Sequence, residues 1–478
     1  MNELAAKRNA VTELMRISPL ADDLARLFAT AGHRLYLVGG SVRDALLGRL
    51  SGVNDLDFTT DARPKQVLEI VSGWADAIWE TGIEFGTVGI TKRGVTLEIT
   101  TFRADSYDRV GRNPEVIFGD TVEGDLLRRD FTVNAMAIDL STKQFVDPHR
   151  GLDALSARAL DTPATPEESF ADDPLRMLRA ARFVAQLGFT PAPRVVAAMT
   201  AMAGELSRIT VERVQAELSK LILGEYPRRG LALLVETGLA EQVLPEVPGM
   251  RLAIDEHHQH KDVYEHSLTV LEQAIALEKR DRSEPDLVLR LAALLHDIGK
   301  PATRRFEDGG GVSFHHHEVV GAKMVRKRLR ALKYPKQIVD DVSQLVFLHL
   351  RFHGYGGGEW TDSAVRRYVT DAGPLLDRLH KLVRADCTTR NKRKAASLQR
   401  TYDDLEERIA RIEAEEDLAR VRPDLDGNEI MKILGLPPGP LVGEAWRHLK
   451  ELRLDRGPLS HDDAVAELHR WAEEHGVA

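Results

Sequence analysis

The sequence predicts an α+β protein, with strands confined to the N-terminal part and helices making up the rest. Three observations predict it. Runs suited to strands occur at 35–38, 55–58, 85–91 and 96–101, the first continuously apolar and the others partly alternating. Beyond about residue 160 the apolar residues recur at helical spacing instead. Charged residues are many (29%), aromatics few (6%), and Leu, Ala and Arg frequent, a balance that favours helix.

A length of 478 residues is enough for about three domains. The motifs below divide the chain into a head at 1–160, a helical neck at 161–250, a metal-binding segment at 251–395 and a helical tail at 396–478. The formal charge of −9 gives no overall basicity, although a local basic face still binds phosphate. The single cysteine, Cys387, excludes an internal disulfide framework and fits a cytoplasmic location. The first residues lack an apolar signal-type core, and no stretch is long and apolar enough to span a bilayer, so no membrane partner is expected. Nothing in the sequence indicates an oligomeric state.

In chain order, residues 12–31 place Leu14, Leu20, Leu24, Leu27 and Phe28 near helical spacing, which predicts an amphipathic helix. Leu35–Val38 is an apolar run ended by Gly39 and Gly40, hence a buried strand entering a tight turn. Ser41 is expected to cap a helix over about 42–48. The glycines let the backbone approach a ligand, the helix start offers N–H groups to phosphate, and Arg43 adds a forked cation. By itself this is an ordinary strand–turn–helix. Asp55 and Asp57 change that weighting. Alternate strand residues share a face, so Leu56 and Phe58 point to the core and both carboxylates away from it. Two adjacent like charges repel, and Mg2+, held by one or two carboxylates plus substrate phosphates, relieves the repulsion. In 96–101, Leu97 and Ile99 alternate with Glu98, which is either a third carboxylate of that site or an exposed strand glutamate. Residues 104–127, with Arg109 and Arg112, read as a mobile polar loop. Arg128 and Arg129 are paired cations for phosphate, and Asp130 and Asn134 are candidate ribose or phosphate contacts.

Gly39-Gly40-Ser41-Val42-Arg43-Asp44, Asp55-Leu56-Asp57, the run from Arg128 to Ala137, and Asp147, Gly151 and Asp153 follow one another at suitable spacing. In this order they closely resemble the bacterial class II tRNA nucleotidyltransferases, the CCA-adding enzymes, and the related bacterial poly(A) polymerases of the DNA polymerase β superfamily. The resemblance implies a polymerase-β-like head. It also implies Mg2+ on Asp55 and Asp57, with Glu98 as candidate third carboxylate, and nucleotide contacts from Gly39, Gly40, Arg43, Arg128, Arg129, Asp130 and Asn134. Ser41 stands where alanine is common in the family.

In 170–183, Pro174 marks a helix start with Asp172 or Asp173 as its cap. By spacing alone, Arg176, Arg179 and Arg182 form a wet face and Leu175, Leu178 and Phe183 a core face. The resemblance implies more. Asp173 and Arg176, neighbours three apart on a helix, would read the base, and Arg179 and Arg182 would contact the nucleotide. A carboxylate accepts from the exocyclic amine of cytosine or adenine. Guanine and uracil present a carbonyl there and are repelled. Asp172 departs from the usual glutamate. Residues 209–218 resemble the family's neck helix, which supports this site.

A second constellation comprises His266, the adjacent pair His296 and Asp297, Lys300, His317, His349 and Asp386. Histidine nitrogens mixed with carboxylates suit a divalent transition metal such as Mn or Ni better than Mg2+. The segment resembles the HD phosphohydrolase domain. That likeness implies His266, His296, Asp297 and Asp386 as the main ligands, and His317, His349 and Lys300 on the second-metal or substrate side. His257, His258, His260, His315 and His316 are expected at the surface or outside the ligand shell. The basic run Lys323, Arg326, Lys327, Arg328, Arg330, Lys333 and Lys336, thickened later by Arg366, Arg367, Arg384, Arg390, Lys392, Arg393 and Lys394, is expected to touch RNA backbone. The tail from 395, including 424–436, is expected to be helical.

The function expected is template-independent addition or repair of the 3′-terminal CCA of tRNA, from CTP and ATP with release of pyrophosphate, alongside a candidate HD phosphohydrolase. Within the family it resembles, the full length of 104–127 implies an enzyme that finishes with A, because a CC-only enzyme is expected to lack that loop. The alternatives are a poly(A) polymerase, a partial CC- or A-adding enzyme and, from a different class, a chain acting mainly as an HD phosphohydrolase.

Overall fold

The computed structural model describes residues 19–49, 55–104, 117–251, 262–307, 312–352, 355, 360–387, 392–416 and 422–477. The chain divides into two compact units, Met1–Val243 and Leu244–Ala478.

In the first unit, helix α1 (Pro19–Thr30) buries Leu20, Ala21, Leu24 and Phe28 along one stripe. Strand β1 (Leu35–Val38) is buried throughout, as its unbroken apolar run requires. Helix α2 (Gly40–Leu46) begins earlier than expected. Ser41 does not cap it. Gly39 takes the N-cap position at φ 76° and ψ −140°, without a side-chain cap. Only glycine adopts that backbone readily, so the turn closes one residue sooner than a serine cap would allow. Strands β2 (Asp55–Thr60), β3 (Ala77–Trp79), β4 (Thr87–Lys92) and β5 (Val95–Thr101) follow. The strand expected at 85–91 starts at Thr87, because Ile83–Phe85 forms a 3-10 turn ending on left-handed Gly86. The short strands β6 (Arg103–Ala104) and β7 (Ile117–Phe118) pair antiparallel, and β8 (Ala137–Asp139) and β9 (Phe145–Val146) complete the main sheet.

The main sheet has seven strands in the order β3-β4-β5-β2-β1-β8-β9. It is mixed: β2 and β5 run parallel, whereas β1 pairs antiparallel with both β2 and β8. Leu56 and Phe58 are 1% exposed, as the alternation predicts. Tyr36 and Val38 pack with Phe102, Val122, Leu126, Ala135 and Ala137, which seats helix α3 (Val122–Leu127) against the sheet.

Helices α4 (Gly151–Ser156), α5 (Pro166–Asp172), α6 (Leu175–Leu187), α7 (Pro193–Met202), α8 (Val211–Ile222) and α9 (Pro227–Glu236) follow in this unit. Helix α6 lies between α8 and α9 and is buried nearly all round, so it is a central helix with no continuous wet face. Phe131 meets Phe183 of α6 edge to face at 5.7 Å, tying the sheet region to the helices.

The second unit contains α10 (Val263–Asp281), α11 (Leu287–Leu295), α12 (His317–Ala331), α13 (Lys336–Leu348), α14 (Asp362–Ala372) and α15 (Leu376–Asp386); α10, α13 and α15 pack against α11, and α12 packs against α13. Helix α11 is buried from Val288 to Leu295 without a break. The one charge in that stretch, Arg290, is neutralised by Glu278 of α10 at 2.6 Å, the arrangement a buried cation needs. The tail is helical, as expected: α16 (Lys392–Glu416), α17 (Gly427–Leu434), α18 (Pro440–Arg456) and α19 (His461–Glu474). The last three bury a core of their own around Leu425, Ile430, Leu449, Leu468 and Trp471. Among the described residues no helix is long and apolar enough to cross a membrane.

Candidate active site and metal centre

In the first unit the sheet register brings two of the expected carboxylates together. Asp57 of β2 and Glu98 of β5 are direct partners across the parallel pair. Paired residues project from the same face, about 4.8 Å apart from strand to strand. Both are exposed, while Leu97 and Ile99 are fully buried behind Glu98. Asp55 pairs with Thr96 in register; its side chain lies outside the described residues. The Gly39 turn closes against this point. A Cβ on Gly39 would stand 3.3 Å from Asp57 Oδ2 and 3.3 Å from Arg129 Nη1, so the backbone, a carboxylate and a guanidinium converge there. Asp125, buried on α3, anchors Arg129 at 3.3 Å. Carboxylates facing one way beside a fixed cation and a bare backbone turn can hold a divalent cation and the phosphates bound to it.

Arg43 is not a solvated cation. It is 8% exposed, forks onto its neighbour Asp44 at 2.8 and 2.9 Å, and donates to Asn134 Oδ1 at 2.7 Å. Asn134 in turn donates to Asp130 at 3.0 Å, and Asp130 accepts from Arg179 at 2.9 and 2.5 Å. Burial alone would raise the Asp130 carboxyl. The charge of Arg179 and the Asn134 hydrogen bond overcome burial and hold it well below the usual carboxylate range. Asp130 and Asn134 thus occupy the middle of a polar chain that runs from α2 to α6.

The wet face read from spacing on α6 is not there. Arg182 is 7% exposed, bound to Glu217 of α8 at 3.2 Å and stacked on Phe183 at 4.3 Å. Burial and the neighbouring Arg179 lower its guanidinium to about 10. Arg179 lies 3.8 Å from the same glutamate. Asp173 is not on a helix with Arg176 either: it is extended, at φ −143° and ψ 97°, just before α6. It does act towards the helix start, accepting from the Leu175 backbone N–H at 3.2 Å. Its other oxygen accepts from Arg213 of α8 at 2.7 Å. Arg176 reaches away, donating to Ser169 Oγ at 2.9 Å and to the Arg128 carbonyl at 2.6 Å. Arg128 thereby enters the site through its backbone. Sequence reasoning missed Arg213, Glu217 and Asp125; their only signal was the helical phase of 209–218 and the acid four residues before Arg129. The expectation for 104–127 falls mainly on 105–116, outside the described residues, as do Arg109 and Arg112.

In the second unit every expected HD residue converges. His266, His296 and Asp386 offer ligand atoms within 4.8 Å of one another, and so do Asp297, His317 and His349. Asp297, a member of the second group, also faces the first. Its Oδ2 lies 3.4 Å from His266 and 3.2 Å from His296, and its Oδ1 lies 3.2 Å from His317 and 3.8 Å from His349. Lys300 holds Oδ2 at 2.5 Å. Three imidazoles are aimed alike: Nδ1 of His296, His317 and His349 meets the carbonyl three residues back, at 2.9, 2.8 and 2.6 Å. That fixes the tautomer and turns each Nε2 inward as a ligand atom. The inward Nε2 atoms of His317 and His349 are buried without a hydrogen-bond partner, as metal-ligand atoms would be. The charge balance agrees. Burial would lower His296, yet Asp297 and Asp386 beside it push it up to about 10, while burial and His296 push His349 down to about 3. Such a cluster gathers a positive charge at its centre. Gly299 makes the convergence sterically feasible, because a Cβ there would meet the His317 carbonyl at 2.2 Å and Gly321 N at 2.7 Å. His315 and His316 are exposed, and His257, His258 and His260 lie outside the described residues.

The basic stretches split. Lys323, Lys327, Arg330, Lys333 and Lys336 are exposed. Arg326 pairs with Asp340 at 2.5 Å and Arg328 with Glu246 at 2.8 Å. Arg367 and Arg384 are tied to tail acids, Arg367 to Glu451 and Asp455, Arg384 to Asp403 and Glu406, and Arg366 is buried against the Leu454 carbonyl. These three are corrected from RNA contacts to ties within this unit. Arg393 is exposed, and Arg390 and the side chains of Lys392 and Lys394 lie outside the described residues.

Three family models match the chain: the poly A polymerase head domain over 35–161, the probable RNA and SrmB-binding site of polymerase A over 188–250, and the HD domain over 263–391. An A-adding tRNA nucleotidyltransferase of Deinococcus radiodurans is 35% identical over 446 residues, covering 92% of this chain and 95% of that protein. A CCA-adding enzyme of Levilactobacillus brevis is 43% identical over 210 residues, 44% of this chain and 51% of that one. Among solved structures, the Bacillus stearothermophilus CCA-adding enzyme in complex with CTP superposes with a TM-score of 0.70 at 25% identity, covering 97% of this chain and 98% of that one. The Thermotoga maritima CCA-adding enzyme complexed with tRNA shares the fold, with a TM-score of 0.60 at 18% identity over 96% of this chain and 98% of that one. The chain belongs to the class II CCA-adding and poly(A) polymerase family of nucleotidyltransferases, in the form that carries an HD domain.

Proposed function

We propose that this nucleotidyltransferase builds or repairs the 3′-terminal CCA of tRNA from CTP and ATP. The observation that carries the reading is the placement of Asp173 and Arg176. Arg176 is bonded to the Arg128 carbonyl beside the sheet site, and Asp173 is fixed from α8. A carboxylate that accepts from an exocyclic amine thus belongs to the same unit as Asp57, Glu98 and Arg129. Asp57, with Asp55 and Glu98, would hold Mg2+, which supplies charge neutralisation and activation of the attacking hydroxyl. The tRNA 3′-oxygen bonds to the α-phosphorus, the bond to the β-phosphate oxygen breaks, and pyrophosphate leaves towards Arg129. Base choice is made by protein side chains instead of a template.

The test is extension of a tRNA ending at its discriminator base, with CTP, ATP or both. Three added nucleotides only when both are present is the expected result. A second reading, addition of the terminal A alone, is favoured by the near full-length kinship with an A-adding enzyme. It predicts extension of tRNA ending in CC by ATP and no incorporation of CTP at the discriminator base. Long ladders with ATP alone would replace both readings with a poly(A) polymerase.

We read the second unit as a metal-dependent phosphohydrolase. His266, His296, Asp386, Asp297, His317 and His349 would hold divalent transition metal, which supplies an activated water for attack on phosphorus. Lys300, bonded to Asp297, places a cation beside the cluster. Release of the chromophore from a chromogenic phosphodiester by the parent chain and not by His296→Ala is the expected result.

A further inference from the structure

An ion pair between Asp173 and Arg213 ties the proposed selector carboxylate to a different helix. Asp173 has two oxygens. One is held by the Leu175 backbone N–H, so it moves with α6. The other is held by Arg213 Nη2 at 2.7 Å, from the third residue of α8. Helix α8 is itself fixed from the same face. Glu217, four residues after Arg213, is 5% exposed and bound to Arg182 at 3.2 Å, with Arg179 at 3.8 Å. Residues four apart lie one above the other on a helix. A single face of α8 therefore presents a cation to the acid Asp173 and an acid to the bases Arg179 and Arg182. The Arg213 side chain remains 50% exposed, so its pairing with Asp173 is not forced by core packing.

We propose that Arg213 is a specificity-determining residue of the transferase, a positioning residue that fixes the rotation of the Asp173 carboxylate. This rests on the reading of Asp173 as base selector. The effect is asymmetric between right and wrong nucleotides. Either oxygen of a freely turning carboxylate can accept from the amine of cytosine or adenine, so correct bases lose little. Rejection of guanine and uracil depends on an oxygen held against their carbonyl. A carboxylate free to rotate relieves that repulsion. Arg213 therefore contributes to discrimination far more than to the rate with correct nucleotides.

The experiment measures kcat/KM for single additions of CTP, UTP, ATP and GTP on tRNA primers, in the full chain and in Arg213→Ala, Arg213→Met, Arg213→Lys, Asp173→Ala and the Arg213→Ala/Asp173→Ala double variant. Arg213→Ala and Arg213→Met, the latter retaining the apolar stem, are expected to lower the CTP/UTP and ATP/GTP ratios roughly tenfold, with kcat/KM for CTP and ATP changed by less. Arg213→Lys restores most of the ratio. Arg213→Ala adds nothing once Asp173 is gone, which is the signature of action through Asp173. Loss of discrimination in Asp173→Ala with none in either Arg213 variant overturns the role of Arg213 and leaves the base reading standing. Unchanged discrimination in Asp173→Ala overturns the base reading and this role with it.

Discussion

The two acidic centres of this chain are built on opposite plans. In the first unit, Asp57 and Glu98 stand exposed on neighbouring strands, and the convergent groups are a glycine turn and one arginine. That is a partial shell, short of the six ligands Mg2+ prefers, and incoming phosphates and water complete it. In the second unit, His296, Asp297 and His349 are no more than 1% exposed, and three imidazoles are locked by backbone carbonyls before any metal arrives. That is a closed, preorganised shell rich in nitrogen, suited to a resident metal. One centre is finished by its substrate and the other by its own fold.

The hardest test of this comparison removes one carboxylate from the open centre and one imidazole from the closed one. Asp57→Ala is expected to lower nucleotide addition at least ~10³-fold, equivalent to ~4 kcal/mol of transition-state stabilisation. His296 faces one ligand group, so His296→Ala is expected to leave addition within about twofold while removing about half of the tightly bound metal. Single-turnover extension of tRNA and metal analysis of chains purified without chelator report the two quantities separately. If His296→Ala stopped extension as completely as Asp57→Ala, the centres would not be independent.

A smaller effect sharpens the picture inside the closed centre. Asp297 faces both ligand groups, one oxygen to each, whereas His349 faces one. Asp297→Ala is therefore expected to empty both positions, and His349→Ala to remove about half of the metal bound by the parent chain. Equal losses in the two variants would mean that Asp297 is not shared.

The parts of this design that were legible in the sequence follow local rules. Leu35–Val38 announced a buried strand because four apolar residues in a row need cover on both sides. Asp57 and Glu98 were placed on polar faces because side chains alternate along a strand; that they are direct partners required the parallel pairing of β2 with β5. The capping role expected of Ser41 failed because propensity favours serine, while the geometry here demands a positive φ at Gly39. The arginines of α6 misled for a different reason. Spacing shows that Arg176, Arg179 and Arg182 share a side of the helix, but not that Asp130 and Glu217 wait there to neutralise Arg179 and Arg182. Pairs between residues 35 to 49 positions apart leave no periodic trace. Likewise the HD histidines were visible as a motif, while the sharing of Asp297 emerged only from the approach of α12 across Gly299.

The mildest prediction concerns helix α12, where one charge run serves two purposes. Lys327 and Arg330 are exposed, whereas Arg328 is bound twice by Glu246, at 2.9 and 2.8 Å, with only 24% of its side chain accessible. A cation that neutralises a phosphate releases a condensed counterion, and a cation already neutralised by a carboxylate has none to release. The Lys327→Ala/Arg330→Ala pair is thus expected to weaken tRNA binding several-fold at low salt. It should also flatten the slope of log K against log salt by roughly one per residue removed. Arg328→Ala should leave that slope unchanged and lower the melting temperature by a few degrees, because a partly buried charge-assisted pair is worth roughly 1–2 kcal/mol. Filter binding across a salt series and thermal melts on the same preparations decide between the roles. A flattened slope in Arg328→Ala, with a normal one in the double variant, would reverse the assignment and make the Glu246 pair a latch that RNA opens.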